Sequence, residues 1–321
     1  MRLVRCLPIL VASLAVAGAF AQGYPNRPIK VVVPWPPGQA TDVAARIVSE
    51  GVAAQIGQQL VVDNRPGAGG TIGSEFAARA TPDGYTILAG SSGPISISPL
   101  LQKLPYDPAK DFEPIALMVS TAYVLTVHPS LPVNTAQEFI ALVRANPGKY
   151  NFASSGTGAT AHLAAELFNA TAGLKATHVP YKGSAPAITD LIAGHVSYAL
   201  ETTAAVLPHV KAGRLKALAV TIPRRSISLP DVPTLAEAAG MAGFDVRAWI
   251  GFIAPAGIPR EARTRLAAEV QRALDTPEIK ARLVAAGLEP ADLTPEQFAE
   301  FLKTQNERFG SIIKAANIKV E

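Results

Sequence analysis

The five residues from Ser154 to Gly158 combine hydroxyl groups with two glycines, a combination suited to capturing a small anion. They follow a short apolar run and precede a segment whose apolar residues have helical spacing, so they should form a loop at a helix N-terminus. Backbone N–H groups there carry partial positive charge, and serine or threonine hydroxyls add hydrogen-bond donors. We expect the loop as a whole to hold a carboxylate. The simpler alternative is that Ser155 or Thr157 only caps the helix.

A nucleotide cofactor is a second possibility for this loop, because Gly156, Gly158 and Ala161 match the relaxed form of the dinucleotide fingerprint. Such a site also needs an acidic residue about 20 residues further on, at the end of the next strand, to bind the ribose. Here that strand ends at residues 177–180 without an acid. The other Gly-rich loop, at residues 66–70, lacks the lysine of a P-loop. The sequence therefore predicts no cofactor.

Signatures of catalysis and of metal binding are weak. No serine lies in a G-x-S-x-G motif. No metal-ligand spacing joins the five histidines, which are His128, His162, His178, His195 and His209. An exported hydrolase that uses Ser91, Ser92, Ser154 or Ser155 stays open as the alternative to a binding protein.

Residues 1–21 have the three parts of a secretory signal peptide: two arginines, an apolar run and the small-residue site Ala19-Phe20-Ala21. A membrane anchor needs about 20 apolar residues, and this run is shorter. We therefore expect export with cleavage near Ala21. The single cysteine, Cys6, would be removed with this segment, which excludes thiol catalysis and a thiolate metal site in the mature chain.

Composition narrows the class further. Of the 321 residues, 49% are apolar and 17% are charged, which fits a folded protein with a substantial core rather than a disordered one. A formal charge of +4 without a dense Lys/Arg run argues against nucleic-acid binding.

The elements that would position these loops alternate along the chain as strand, loop and helix. The first unit has predicted strands at 28–33, 59–62 and 85–88 and helices at 42–56 and 71–80, with Thr41 suited to the first N-cap. The pattern restarts near Pro129 with helices at 134–145, 158–172 and 185–193 and strands at 150–153, 176–179, 196–200 and 215–220. Three further helices are predicted near 260–274, 277–286 and 295–315.

Two such units, joined by crossings at 113–127 and 222–232, predict an α/β fold of two lobes. Each lobe would be a mostly parallel sheet flanked by helices, with a ligand cleft between the lobes. We assign residues 22–120 to the first part of lobe 1, 121–224 to lobe 2, and 225–321 to the return segment and C-terminal helices of lobe 1. Ligands of such sheets bind beyond the carboxyl ends of the strands. The cleft should therefore be formed by the loops at 34–41, 64–71, 90–95, 154–160 and 180–184.

Several runs, in the same order, resemble the signatures of the Bug/TctC-type solute receptors of tripartite tricarboxylate transporters. They are Pro34-Trp35-Pro36-Pro37-Gly38-Gln39-Ala40-Thr41-Asp42, Asn64-Arg65-Pro66-Gly67-Ala68-Gly69-Gly70, Pro82-Asp83-Gly84-Tyr85-Thr86, Ser154-Ser155-Gly156-Thr157-Gly158, Val179-Pro180-Tyr181-Lys182-Gly183 and Leu229-Pro230-Asp231-Val232-Pro233-Thr234. The resemblance covers residues 24–321 and implies a two-lobed periplasmic binding protein whose lobes close on a small carboxylate. It also implies integral-membrane transporter subunits as partners and a receptor that is not an enzyme, which we expect to be a monomer.

In that family loop amides, hydroxyls and ordered waters hold the carboxylate, and an arginine does not. The resemblance and the loops together give these candidate ligand-binding residues: Trp35, Pro37, Gly38, Gln39, Ala40, Gly69, Gly70, Thr71, Ser91, Ser92, Ser154, Ser155, Gly156, Thr157, Gly158, Glu201 and Thr202.

Three of these residues depart from the family pattern and bear on the substrate. Gln39 stands where a second glycine is usual, Glu201 where Asp is frequent, and Trp35 where Phe or Tyr is common. Glu201 could face the distal end of the ligand, and Trp35 could stack on a flat or long ligand or pack in the hinge. We expect a mono- or dicarboxylate, aromatic acids included. A sensory module that presents the liganded receptor to a membrane kinase would use the same cleft.

Overall fold

The computed structural model describes residues 23–291 and 293–315, so the predicted signal peptide lies outside the described residues. The first elements are β1 (Ile29–Val33), α1 (Ala40–Ile56), β2 (Leu60–Asn64), α2 (Thr71–Ala78), β3 (Thr86–Ser91), α3 (Ser98–Leu101), α4 (Pro108–Asp111) and β4 (Phe112–Val127). A 3₁₀ turn at Ala68–Gly70 follows β2, and a π-helical turn at Gly93–Ile97 follows β3.

The middle of the chain folds into α5 (Ala136–Arg144), β5 (Asn151–Ser154), α6 (Thr160–Ala172), β6 (Thr177–Pro180), α7 (Ser184–Ile192), β7 (Tyr198–Thr202), α8 (Thr203–Lys211), β8 (Lys216–Val220) and α9 (Leu235–Ala239). The last elements are β9 (Arg247–Pro255), α10 (Arg260–Asp275), α11 (Pro277–Ala285), β10 (Glu289–Pro290) and α12 (Pro295–Ala315).

The strands form a sheet in the order β2-β1-β3-β9-β4-β7-β5-β6, and β8 and β10 each pair with β4 as well. Toward the two ends the strands are parallel, because β1 pairs with β2 and β3, and β5 pairs with β6 and β7. The central strands β9 and β4 run antiparallel to their neighbours. The predicted α/β fold is confirmed, and antiparallel strands join its two halves.

The long strand β4, of 16 residues, belongs to both halves. Its first part, up to Ala122, pairs with β9, and its last part, from Tyr123, pairs with β7 and β8. At this changeover the Thr221 hydroxyl accepts a hydrogen bond from the Tyr123 amide and donates one to the Val246 carbonyl. The Thr203 hydroxyl donates to the Ala122 carbonyl. Buried backbone groups are thus satisfied by side chains at the point where the sheet divides.

Each half has its own hydrophobic core. In the first half, Val48 of α1 and Val270 of α10 belong to one buried cluster with β1. In the second half, the Phe139 ring of α5 lies 6.3 Å from Phe168 of α6 and 4.9 Å from Tyr198 of β7. Two separate cores are the basis for treating the halves as two bodies.

The segment that leads back to the first half packs in the second half. Leu235, Met241 and Phe244 belong to the buried cluster that contains Phe139 and Tyr198. Packing therefore favours a return crossing near residue 246, just before β9. The sequence had placed the crossing at 222–232 and the lobe boundary at 224. The lobe boundaries stay a prediction.

The C-terminal helix α12 contacts both halves. Its Phe298 ring packs edge-on against Trp249 of β9, with 5.6 Å between the ring centroids. Further along, Phe309 lies in the same buried cluster as Leu163 of α6. This helix is therefore a third connection between the halves, besides β4 and the return segment.

The predicted secondary structure is corrected at the start of α1, at β9 and at α8. α1 begins at Ala40, so Thr41 is buried in the first turn and is not the N-cap. β9 and α8 were not expected, because residues 247–255 lack strand alternation and α8 contains Pro208. Tertiary pairing of β9 with β3 and β4 decides its structure.

Gly251 tests how tightly the centre of the sheet is packed. A Cβ at this position would lie 2.6 Å from Phe298 Cζ and 2.8 Å from the Ala116 carbonyl oxygen. We expect Gly251→Ala to lower the free energy of unfolding by about 1–3 kcal/mol through overpacking, measured by urea denaturation. Gly310→Ala is the control, because a Cβ there meets nothing within 4 Å on helix α12. It should be neutral or stabilising by up to about 1 kcal/mol, and equal stability of the two variants would contradict this packing.

Candidate functional site

Loops of the two halves meet beside β4 around a small cavity, which we call the inner chamber. Its volume of about 30 Å³ gives room for about two water molecules. It is lined by Trp35, Gln39, Ala40, Thr41, Ser91, Ser92, Gly93, Tyr123, Ser155, Ala159, Thr160, Glu201, Thr202, Ala248 and Ile250. Hydroxyl and amide groups dominate its polar lining.

A larger cavity of about 770 Å³, which we call the outer pocket, shares Trp35 and Ser155 with the inner chamber. Its other lining residues are Pro36, Pro66, Gly67, Ala68, Gly69, Ile72, Gln102, Gly156, Thr157, Pro180, Tyr181, Lys182 and Gly183. Ile72 and Pro180 are exposed, so this pocket opens to solvent. It leads from solvent to the wall that the two cavities share.

Two long helices begin at the inner chamber. α1 starts after Gln39 and α6 starts after Ala159, and neither of these side chains caps its helix. The first N–H groups of a helix have no partner inside the helix and carry partial positive charge. The alternative that Ser155 or Thr157 only caps α6 is therefore wrong, and the chamber has the backbone donors of an anion site.

Trp35 forms the wall between the two cavities and is itself held in place. Its indole Nε1 donates a hydrogen bond to Ser91 Oγ at 2.9 Å, and only 6% of the residue is exposed. A Cβ at Gly70 would lie 3.3 Å from the indole ring, so this loop packs against the tryptophan. Close by, the Ser92 and Thr160 hydroxyls are 2.8 Å apart and join the two halves directly.

Asp42 fixes the first loop. Its carboxylate accepts hydrogen bonds from the Gly38 amide at 2.8 Å and from Arg46 and Asn64. Burial alone would raise the pKa of Asp42, but the hydrogen bonds from Arg46, Gly38 and Asn64 together hold that pKa below its ordinary value. Asp42 and Arg46 also form an ion pair one helical turn apart, at 3.0 Å. The loop that precedes α1 is therefore held rigidly beside the chamber.

Glu201 is a fully buried acid in the chamber wall. Its Oε2 accepts a hydrogen bond from the Ser184 hydroxyl at 2.8 Å, and its Oε1 meets no hydrogen-bond partner among the described residues. Burial raises the pKa of Glu201 to about 7, against the lowering effect of Ser184 and of nearby groups of Thr202 and Ser155. The lining residues of the chamber include no Lys, Arg or His.

Loops from the two halves touch across the outer pocket. A Cβ at Gly69 would lie 2.8 Å from the Thr157 carbonyl oxygen. A Cβ at Gly183 would lie 3.0 Å from Pro36 Cγ and 3.2 Å from Gln39 Oε1. Position 69 therefore has no room for a side chain, and a side chain at position 183 would require Pro36 or Gln39 to shift.

Ser154 makes a contact that the sequence did not predict. Its Oγ lies 2.6 Å from His178 Nε2, and the His178 ring is stacked between Phe152 and His162 at centroid distances of 4.9 and 4.1 Å. Burial lowers the pKa of both histidines to about 4. Ser154 is fully buried and lines neither cavity, so this serine–histidine pair supports the loop rather than facing a substrate.

The structure brings most of the predicted site residues together. The inner chamber contains Trp35, Gln39, Ala40, Ser91, Ser92, Ser155, Glu201 and Thr202, and the outer pocket adds Gly69, Gly156 and Thr157. The predicted residues that line neither cavity are Pro37, Gly38, Gly70, Thr71, Ser154 and Gly158.

The list of candidate residues lacked Tyr123 and Thr160 of the chamber and Tyr181 and Lys182 of the outer pocket, although the last three lie in loops that the sequence assigned to the cleft. Tyr123 had a usable signal, because it is the one aromatic residue of the largely apolar run at 115–125 that crosses between the predicted lobes. It pairs with Thr202 in the sheet.

Within residues 23–291 and 293–315 no group of three His, Cys, Asp or Glu side chains could hold a metal ion. In the same ranges no helix has the length and apolar character to cross a membrane.

Comparison with known proteins gives a consistent family. Residues 44–318 match the tripartite tricarboxylate transporter family receptor pattern. A UPF0065 protein from the tcbD–tcbE intergenic region of Pseudomonas sp. strain P51 is 42% identical over 290 residues, which cover 90% of this chain and 86% of that protein.

Solved structures agree in fold over nearly the whole chain. The periplasmic binding protein BugD has a TM-score of 0.87 and 36% identity, covering 93% of this chain and 100% of its own. Rpa4515 of R. palustris, solved with adipate, has a TM-score of 0.89 and 34% identity, covering 92% and 99%. MatC (Rpa3494) from Rhodopseudomonas palustris, with bound malate, has a TM-score of 0.85 and 33% identity, covering 90% and 100%. The chain belongs to the TctC family of tripartite tricarboxylate transporter receptors.

Proposed function

We propose that the protein is a periplasmic receptor that captures a small organic acid and delivers it to a tripartite tricarboxylate-type transporter. The observation that carries the proposal is the inner chamber, where the uncapped N-termini of α1 and α6 and several hydroxyls converge. Such a group of donors stabilises a carboxylate without a cationic side chain. The adipate and malate held by its structural relatives support this class of ligand.

Capture would proceed by closure of the two lobes on the ligand. The inner chamber of about 30 Å³ is smaller than a four-carbon acid, so a ligand needs the halves to separate before it enters. The two lobes would move about the changeover in β4 and the return segment near residue 246. Two-lobed closure of this kind is a hinge motion.

The proposed cellular context follows from the N-terminal segment and the family. Residues 1–21 would direct export and be cleaved near Ala21, and the mature receptor would act as a monomer in the periplasm. Its partners would be integral-membrane transporter subunits that accept the ligand from the closed receptor. Co-purification of the liganded receptor with these subunits, rather than with a membrane kinase, separates transport from sensing.

Ser155 and Thr157 test the ligand class and its position. Calorimetric titration with mono- and dicarboxylates, benzoate among them, should find at least one that binds more tightly than about 1 mM. Ser155→Ala and Thr157→Val should each weaken that ligand about 3- to 10-fold, as expected for one lost hydrogen bond.

The matched control for these variants is Ser96→Ala, because the Ser96 hydroxyl is buried, has no partner among the described residues and lies outside both cavities. Its affinity should equal that of the wild type. Failure of the whole panel to bind would refute the proposed function. Unchanged affinity in both cavity variants would move the site elsewhere, and serine-dependent turnover of activated esters would favour a hydrolase.

Gly69 tests closure. Gly69→Ala should weaken ligand binding at least about tenfold, because its Cβ would meet the Thr157 carbonyl oxygen at 2.8 Å and hold the loops apart. Gly57→Ala is the matched control, since the two glycines have φ values of +63° and +69° but Gly57 has open space around it. The free energy of unfolding of both variants should fall by about 1 kcal/mol, because alanine is strained in the left-handed backbone conformation of these glycines. Equal affinities in the two variants would argue against closure through this contact.

A further inference from the structure

Glu201 is an acid in a chamber that otherwise suits an anion. A buried carboxylate beside a bound carboxylate would repel it and would also be poorly solvated. No Lys, Arg or His among the lining residues of the chamber could neutralise that charge. The chamber can accept both groups only if one of them carries a proton.

We propose that Glu201 meets the ligand as a neutral carboxylic acid, whose Oε1–H donates a hydrogen bond to a carboxylate oxygen, so that one proton is captured with each ligand. The proposal rests on the proposed function of the same site. The Ser184 hydroxyl already donates to Oε2, which leaves the unpartnered Oε1 to hold the proton. An O–H group that donates to a carboxylate forms a short, strong bond.

Among the described residues that line the chamber, Glu201 is the one whose side chain titrates near neutral pH. β4 contributes Tyr123, whose pKa is raised by burial and by the Glu201 charge, so its phenol stays neutral. The other polar side chains around Glu201 are hydroxyls, from Ser155 after β5, Thr160 of α6, Ser184 of α7 and Thr202 at the end of β7. Hydrogen bonds from Ser184 and from Ser155 and Thr202, backbone groups included, lower the pKa of Glu201, but burial outweighs them.

The two histidines near the site keep one charge state around neutral pH. His162 and His178, behind the loop after β5, stay neutral because burial lowers their pKa values to about 4. Lys182 lines the outer pocket and not the chamber.

If a proton is captured with the ligand, the affinity for the ligand should fall as the pH rises. In the free protein Glu201 has a pKa of about 7 and is largely ionised above that pH. Anion binding then takes one proton from solvent, which passes to Oε1. Because the protonated fraction of such a group falls from about 90% at about pH 6 to about 3% at about pH 8.5, affinity should fall about 30-fold over that range.

The experiment is calorimetric titration of the wild-type protein with adipate and with malate at both pH values. Enthalpies measured in buffers with different ionisation enthalpies should report uptake of about one proton per ligand at about pH 8.5 and almost none at about pH 6. This measurement needs no mutation, so it stands even if a variant at position 201 folds poorly. Absence of proton uptake with a ligand that binds would overturn the inference and leave the proposed function intact.

Glu201→Gln supplies a matched test, because a Gln amide keeps the shape and the hydrogen-bond donor of the neutral acid but cannot ionise. Its affinity should vary less than about threefold over the same pH range and should exceed that of the wild type at about pH 8.5. Glu166→Gln is the control, since burial raises the pKa of Glu166 too but its side chain lines neither cavity. It should keep the wild-type pH profile.

Three other results would contradict the inference. If Glu201→Gln kept the wild-type pH slope, another group would be responsible for the slope. If affinity rose with pH, the ionised Glu201 would be accepting a hydrogen bond from an N–H or O–H donor of the ligand. If no acid bound at all, the proposed function would fail and this inference with it.

Discussion

An anion that is held without a cation needs several N–H and O–H donors that point to one place. Helix N-termini supply such donors only when their caps leave the first amides free, and α1 and α6 both begin in this way at the inner chamber. The surrounding loops must then be rigid. Asp42 fixes one of them through the Gly38 amide, and Ser154 with His178 supports the other.

The position of β4 places this donor set between two bodies. Tyr123 begins the part of β4 that pairs with the second half, and it lies opposite Thr202, next to Glu201 in the chamber wall. A rotation of one half about this changeover would therefore change the chamber before it changed either core. The glycines at positions 69 and 183 allow the loops to come into contact at the other end of the cleft.

The sequence was informative where local chemistry decides the structure. Glycines and hydroxyls marked the loops, and most residues chosen from them line one of the two cavities. It failed where long-range pairing decides: β9 has no strand alternation and forms because β3 and β4 flank it. The Ser154–His178 contact joins residues 24 positions apart, on two strands, β5 and β6, that pair in parallel. The free Oε1 of Glu201 is likewise a property of its packed surroundings, not of its spacing.

A crystal structure of the protein grown with adipate tests most directly whether neutral donors in the inner chamber hold the carboxylate. It should place a carboxylate within hydrogen-bonding distance of the first amides of α1 or α6 and of Ser155 or Thr160, with no Lys or Arg in contact with that carboxylate. A carboxylate bound to Lys182 in the outer pocket, or a ligand outside both cavities, would contradict the account.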